Sequence, residues 1–113
     1  MKIAATGDCY EAAGKLFMDS TIFGSNTTMR LVHGEVTGQG PLEGTKFGHA
    51  WVEDGGTVID KSNGRDVRMS KADYYELGRI GSNVIKYDLK KFRKKIVDSG
   101  HWGPWDLKTE SGL

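Results

Sequence analysis

The chain has 113 residues, of which 37% are hydrophobic and 27% are charged. That length supports one modest hydrophobic core and is too short for two, so we expect residues 1–113 to form a single domain. The formal net charge of +1 gives no general attraction to nucleic acid or to a membrane surface. We therefore expect neither of these as a partner.

The chain has one cysteine, Cys9, which excludes an intrachain disulfide and a cysteine-based zinc cluster. The three histidines lack the paired spacing of metal ligands, so we expect no metal and no cofactor. No apolar run approaches the roughly 18 residues of a membrane span. The first five residues are too short an apolar stretch for a signal peptide. These observations favour a cytoplasmic protein.

The first predicted element is a helix over residues 9–20. Asp8 and Glu11 have the spacing of a capping box, and the apolar stripe consists of Ala12, Ala13, Leu16 and Phe17. Cys9 is then the first helical residue, where free backbone N–H groups and the positive end of the helix dipole favour a thiolate. The alternative is that Cys9 is a small buried hydrophobic residue, as free cysteines often are.

Residues 20–28 are polar and glycine-rich and indicate a loop, and 29–36 is a strand candidate that carries His33. We expect His33 to be a hydrogen-bonded structural histidine, because the pattern places no carboxylate beside it. The glycine-rich stretch 38–44 follows, just before the next strand. It either forms a wall of a substrate cleft or is an ordinary connection.

Residues 48–60 read as a β-hairpin, with apolar strands on both sides of the turn Asp54-Gly55-Gly56-Thr57. If Gly55-Gly56 is the loop, Asp60 lies diagonal to His49; if Asp54-Gly55 is the loop, the two face each other directly. Both registers put His49 and Asp60 on one face, about 5–8 Å apart. A carboxylate at that distance can orient an imidazole, which in turn can serve as the base for Cys9. The sequence therefore predicts a Cys9–His49–Asp60 triad.

The rest of the chain alternates turns with regular elements. Residues 61–69 are polar and indicate turns, 70–79 a short capped helix, 83–87 a strand, and 89–99 a last helix with Asp88 as its cap. We expect Leu89, Phe92, Ile96 and Val97 to form the buried stripe of that helix, with its basic outer face in solvent. The aromatic tail 100–113 either packs back on the domain or forms an interface.

Three motifs together resemble the transglutaminase-like branch of the papain-like cysteine enzymes. They are Gly7-x-Cys9-x-x-x-Ala13, then His49-Ala50-Trp51-Val52-Glu53, then a hydrophobic strand that ends in Asp60. The resemblance covers residues 6–62 and implies an α+β fold in which a cysteine-bearing N-terminal helix packs on a small antiparallel sheet of three or four strands. It also implies that Trp51 flanks the active site, and we expect Asp8, Tyr10 and Gly48 to do so too.

The predicted chemistry is the hydrolysis of an amide or peptide bond through an acyl-enzyme intermediate on Cys9. A protein or peptide is the expected substrate. The resemblance leaves two alternatives open, because members of the family include acyltransferases that act on protein glutamine and members that have lost catalysis. The second alternative would be a binding or inhibitor module on the same fold.

Overall fold

A computed structural model describes residues 8–24 and 28–110, which form an α+β protein with three α-helices and one five-stranded antiparallel sheet. In chain order the elements are α1 (Cys9–Gly24), β1 (Met29–Thr37), a 3₁₀ turn (Gly40–Leu42), β2 (Lys46–Asp54), β3 (Thr57–Asp60), a second 3₁₀ turn (Ser62–Gly64), β4 (Val67–Ser70), α2 (Lys71–Leu77), β5 (Val84–Tyr87) and α3 (Leu89–Ser99). None of the described helices has the length and apolar character needed to cross a membrane.

The strand order in the sheet is β4-β3-β2-β1-β5, so β2, which carries His49, is the central strand. Strands β2 and β3 pair as Val52 with Ile59 and Asp54 with Thr57, so the loop between them is Gly55-Gly56. Of the two hairpin registers that the sequence allows, this is the one that sets Asp60 diagonal to His49. Gly55 has a φ of 61°, a conformation that glycine adopts without strain.

The sheet is covered on both faces, because side chains alternate along each strand. One face carries Leu31, Ala50, Val52 and Ile59, which pack against Phe17 of α1 and Phe92 of α3 in one buried cluster. The other face carries Val32, Val36, Trp51 and Val58, which pack against Tyr74 and Tyr75 of α2 in a second cluster. His49 lies on this second face, since it is two residues from Trp51.

Helix ends follow the signals in the sequence. Ser70 accepts a hydrogen bond from the backbone N–H of Asp73 at the start of α2. Asp88 does the same for Lys91 at the start of α3, and Gly100 ends that helix in the left-handed conformation. The caps predicted at Ser70 and Asp88 are confirmed.

Four expectations about the elements were wrong. Helix α1 continues to Gly24, beyond the loop expected from residue 20. Residues 67–69, expected to be turns, form the edge strand β4 together with Ser70, and this strand completes a sheet of five strands where three or four were expected. Val97, placed in the buried stripe of α3, is 80% exposed. In each case, tertiary packing produced a structure that the local polarity or residue spacing of the sequence did not indicate.

The tail packs on the domain. Trp105 contacts the rings of His33, Tyr87 and Phe92, and Trp102 contacts Phe92. Tyr87 donates a hydrogen bond of 2.7 Å to Asp106, which also pairs with Lys95 of α3. The tail therefore completes the core beneath α1 and α3.

Candidate active site

His49 and Asp60 form a buried pair on the α2 side of the sheet. His49 Nε2 lies 3.0 Å from Asp60 Oδ2, and both residues are almost fully buried. The structure thus brings together these two predicted site residues, as expected from a hairpin register that puts both on one face of the sheet.

Asp60 accepts hydrogen bonds from several neighbours besides His49. Ser62 donates through its backbone N–H at 2.9 Å and through its hydroxyl at 2.6 Å, both to Oδ1. Arg65 Nη2 at 3.2 Å and the Tyr74 hydroxyl at 2.8 Å donate to Oδ2. Burial opposes the charge, but the hydrogen bonds and charge of His49 and the bonds from Ser62 hold the pKa of Asp60 well below its usual range. Asp60 is therefore a carboxylate under ordinary conditions.

Cys9 packs with the residues of the other sheet face and interacts with His49. Helix α1 packs on the face that carries Ala50 and Val52. The β2–β3 ladder ends at Val52 and Ile59, so His49 lies beyond its last pair. Asp8 Oδ1 accepts a 2.7 Å hydrogen bond from the backbone N–H of Asn63, which ties the start of α1 to the turn after Asp60.

Asn63 adopts a φ of 54°, a left-handed conformation that asparagine tolerates better than most residues. This conformation belongs to the turn that brings the Asn63 N–H to Asp8. This turn ties the start of α1 close to the His49–Asp60 pair, Cys9 interacts with His49, and only 1% of the Cys9 surface is exposed.

The imidazole of His49 has one nitrogen left for Cys9. Nε2 is used by Asp60, while Nδ1 is buried and has no hydrogen-bond partner of ordinary length and angle among the described residues. Burial opposes protonation, but the hydrogen bond to Asp60, the proximity of Cys9 and the charges of both raise the pKa of His49 to about 9. At neutral pH the ring therefore carries a proton on both nitrogens.

Trp51 stacks beside His49 with ring centroids 6.2 Å apart and an interplanar angle of 30°. Its indole N–H donates to Glu53 at 3.0 Å, and Glu53 also accepts from the Tyr75 hydroxyl and pairs with Lys86. Trp51 is fully buried. It therefore excludes water from one side of the imidazole.

A cavity of about 260 Å³ reaches the same pair. Its polar lining includes His49, Asp60, Arg65 and Tyr74. Residues of the connection 38–44 also line it, so this connection forms one wall of a cavity that contacts the candidate site.

Tyr10 and Gly48, also expected to flank the site, are the chain neighbours of Cys9 and His49. Tyr10 contacts the ring of His33 at a centroid distance of 4.9 Å, and Gly48 is buried in β2 opposite Glu35 of β1. His33 is fully buried, and both of its ring nitrogens lack a hydrogen-bond partner among the described residues. The expectation of a hydrogen-bonded His33 was therefore wrong, because aromatic rings surround it.

Sequence reasoning missed the residues that hold Asp60, namely Ser62, Arg65 and Tyr74. Continued past its last pair, the Gly55-Gly56 register would put Ser62 opposite His49, but nothing in the sequence assigns Ser62 a role. No local signal links Tyr74 to Asp60, since it depends on where α2 docks. Among the described residues, no group of three or more histidine, cysteine, aspartate or glutamate side chains is arranged to hold a metal ion.

Comparisons of this chain with protein-family models, with curated proteins and with solved structures gave no match.

Proposed function

We propose that this protein is a thiol-dependent hydrolase that cleaves amide or peptide bonds through Cys9, His49 and Asp60. One observation carries the proposal: a buried histidine is bonded to a buried carboxylate through one nitrogen, while its other nitrogen is left for the only cysteine of the chain. The unpartnered nitrogen alone does not distinguish His49, because His33 has two of them. What distinguishes His49 is the buried carboxylate on one nitrogen and its interaction with Cys9, which lets the other nitrogen exchange a proton with the nucleophile.

The reaction uses these residues in turn. His49 holds the proton of Cys9, and the thiolate attacks the amide carbonyl carbon. The backbone N–H of Cys9, at the start of α1, donates to the developing oxyanion. The C–N bond then breaks as His49 Nδ1 transfers its proton to the leaving nitrogen. Water hydrolyses the resulting thioester with His49 as the base, and Asp60 keeps the imidazole oriented throughout.

The proposed fold family is the transglutaminase-like branch of the papain-like enzymes. Its support is the arrangement of elements: the helix that begins at Cys9 packs against an antiparallel sheet whose central hairpin carries His49 and Asp60. The substrate would be a protein or peptide. An amine in place of water would make the same thioester a donor for transfer.

A second candidate is a binding module on this fold that has no turnover. The observation that favours it is the burial of Cys9, of which 1% is exposed. In that case Cys9 would be a core residue whose packing with Ala13 and Phe17 matters more than its thiol.

Acylation of Cys9 separates the two. The folded protein is incubated with p-nitrophenyl acetate, and intact-mass spectrometry follows an acetyl adduct that hydroxylamine removes. We expect the parent to be acetylated on Cys9 and Asp60→Asn to be acetylated far more slowly. Cys9→Ser should show no adduct that hydroxylamine removes, and Asp98→Asn on exposed α3 should match the parent. Acetylation of the parent only in urea would contradict the hydrolase and favour the binding module.

A further inference from the structure

The cavity beside His49 is apolar over most of its wall. Its apolar lining comes from five separate segments and consists of Val36, Leu42, Phe47, Val67, Met69 and Leu77. Arg65 and Leu77 are both about half exposed, so the cavity meets solvent at these residues. An apolar cavity on the order of 150 Å³ accommodates benzene, and about 260 Å³ is therefore enough for one large apolar side chain.

The position of the cavity decides which side of a substrate it receives. The described residues that line it include His49 and Asp60, whereas Cys9 is not among them. In an acyl transfer to a thiol, the acyl group becomes attached to the sulfur, and the departing amine takes its proton from the histidine. A group bound next to His49 and away from Cys9 is therefore on the amine side of the scissile bond.

The same position also suits the reverse reaction, in which an amine attacks the acyl-enzyme. Once the acyl group is on Cys9, an amine that binds next to His49 can donate its proton to Nδ1 and attack the thioester carbon. The C–S bond breaks, a new C–N bond forms, and the proton passes through His49 back to the thiolate. An occupant of this cavity is thus both the leaving group of the forward reaction and a nucleophile for the acyl-enzyme.

We propose that this cavity selects substrates whose leaving amine carries a large apolar side chain, such as leucine, methionine or phenylalanine. This inference rests on the proposed hydrolase, because it assigns the cavity a side of the scissile bond. The preference comes from apolar surface that leaves water when the side chain enters.

A binding experiment tests the cavity without any catalysis. In Cys9→Ala, the affinities of leucinamide and glycinamide are measured by NMR titration. We expect leucinamide to bind at least about ten-fold more tightly, from the burial of its isobutyl group. Val67→Phe, which fills the cavity, should abolish that preference. Val97→Phe makes the same change at an exposed position of α3 and should retain it.

If Val67→Phe fails to fold, Leu77→Ala, at an exposed position that also lines the cavity, should reduce the preference for leucinamide. Equal binding of the two amines to Cys9→Ala, or a preference that survives Val67→Phe, would overturn the proposal.

A partition experiment tests the side of the bond. The acyl-enzyme formed from p-nitrophenyl acetate is mixed with either amine, and loss of the thioester is followed by mass spectrometry. We expect leucinamide to remove the acetyl group at least about ten-fold faster than glycinamide, giving N-acetyl-leucinamide. If leucinamide binds in the cavity but reacts no faster, the cavity is not on the amine side and the proposal fails. Absence of acylation would contradict the hydrolase itself, while the titration still decides what the cavity binds.

Discussion

Asp60 accepts five hydrogen bonds with two oxygen atoms, from His49, Ser62 twice, Arg65 and Tyr74. Only one of these donors, His49, is a candidate catalytic residue. The others fix the position of the carboxylate and keep it charged in a buried place. Asp60 is therefore a structural centre as well as the partner of His49.

We expect Asp60→Asn to destabilise the fold by about 3–5 kcal/mol. The NH₂ group of asparagine would replace Oδ2, which accepts hydrogen bonds from His49, Arg65 and Tyr74. Up to three hydrogen bonds are therefore lost, and His49 loses its negatively charged partner. Urea unfolding at neutral pH measures the change in unfolding free energy. Asp98→Asn, which removes an exposed carboxylate of α3, is the control and should change stability by less than about 0.5 kcal/mol. A loss below about 1 kcal/mol in Asp60→Asn would show that the network contributes little.

His49 is expected to govern the reactivity of Cys9. Its pKa is raised to about 9, so the imidazolium persists at neutral and mildly acidic pH and stabilises a thiolate beside it. We expect iodoacetamide to alkylate Cys9 of the parent measurably at about pH 6, and His49→Ala to react much more slowly there. Alkylation rate against pH, followed by intact mass, makes the comparison.

His101→Ala is the control, because His101 is exposed in the tail and should leave the alkylation profile unchanged. Coincident profiles for the parent and His49→Ala would mean that His49 is not the partner of Cys9.

At the scale of elements, α2 binds two buried carboxylates through consecutive residues. The Tyr74 hydroxyl donates to Asp60 at 2.8 Å, and the Tyr75 hydroxyl donates to Glu53 at 2.5 Å. The two rings also contact Trp51, with centroid distances of 5.3 and 6.0 Å. One short helix therefore fixes the orientation of both carboxylates on this face of the sheet.

Tyr74→Phe and Tyr75→Phe form a matched pair, because each removes one hydroxyl that donates to a carboxylate. We expect each to lower the unfolding free energy by about 1–2 kcal/mol. Acetylation of Cys9 should slow in Tyr74→Phe and stay near the parent rate in Tyr75→Phe, since only Tyr74 contacts the partner of His49. Equal slowing in both variants would show that α2 acts through general stability and not through Asp60.

At the scale of the whole molecule, His33 lies where several elements meet. Its ring contacts Tyr10 of α1, Tyr87 of β5 and Trp105 of the tail, and a Cβ at Gly103 would lie 2.7 Å from its Cε1. Burial lowers the pKa of His33 to about 4, and the charge of nearby Asp106 opposes that shift only in part. The folded state therefore favours a neutral His33.

The sign of the resulting pH dependence follows from this shift. The unfolded chain binds a proton at His33 near pH 6.5, whereas the folded protein does so only near pH 4. The stability associated with His33 is complete above about pH 6.5 and is lost as the pH falls toward 4. The loss at pH 4.5 is about 2–3 kcal/mol relative to pH 7. The depressed pKa of Asp60 adds further loss only below about pH 4.

We expect His33→Phe, an aromatic replacement of similar shape, to remove most of that loss between pH 7 and 4.5. Urea unfolding at the two pH values provides the measurement. The control His101→Phe should retain the acid sensitivity of the parent. His49 works in the opposite direction, because its raised pKa stabilises the fold at low pH and that contribution is lost as the pH rises through about 9. A parent protein whose stability is unchanged between pH 7 and 4.5 would contradict the burial argument.

Local chemistry made much of this fold predictable. The caps at Ser70 and Asp88 and the stop at Gly100 are single residues whose side chains or backbone freedom act within one helical turn. The glycine turn and the period-two alternation of the hairpin put His49 and Asp60 on one face without any knowledge of the rest. These features depend on neighbours close in sequence, so the sequence by itself determined them.

Tertiary structure alone decided the rest. Strand β4 forms by pairing with the edge of β3. Residues 67–70 contain no hydrophobic run that would predict a strand. Tyr74 reaches Asp60, and Asn63 reaches Asp8, only after α2 and the turn that follows β3 have docked. The aromatic surroundings of His33 assemble from three distant segments. Each of these contacts joins residues whose separation in sequence leaves no periodic signal, so only the packing of the whole chain selects them.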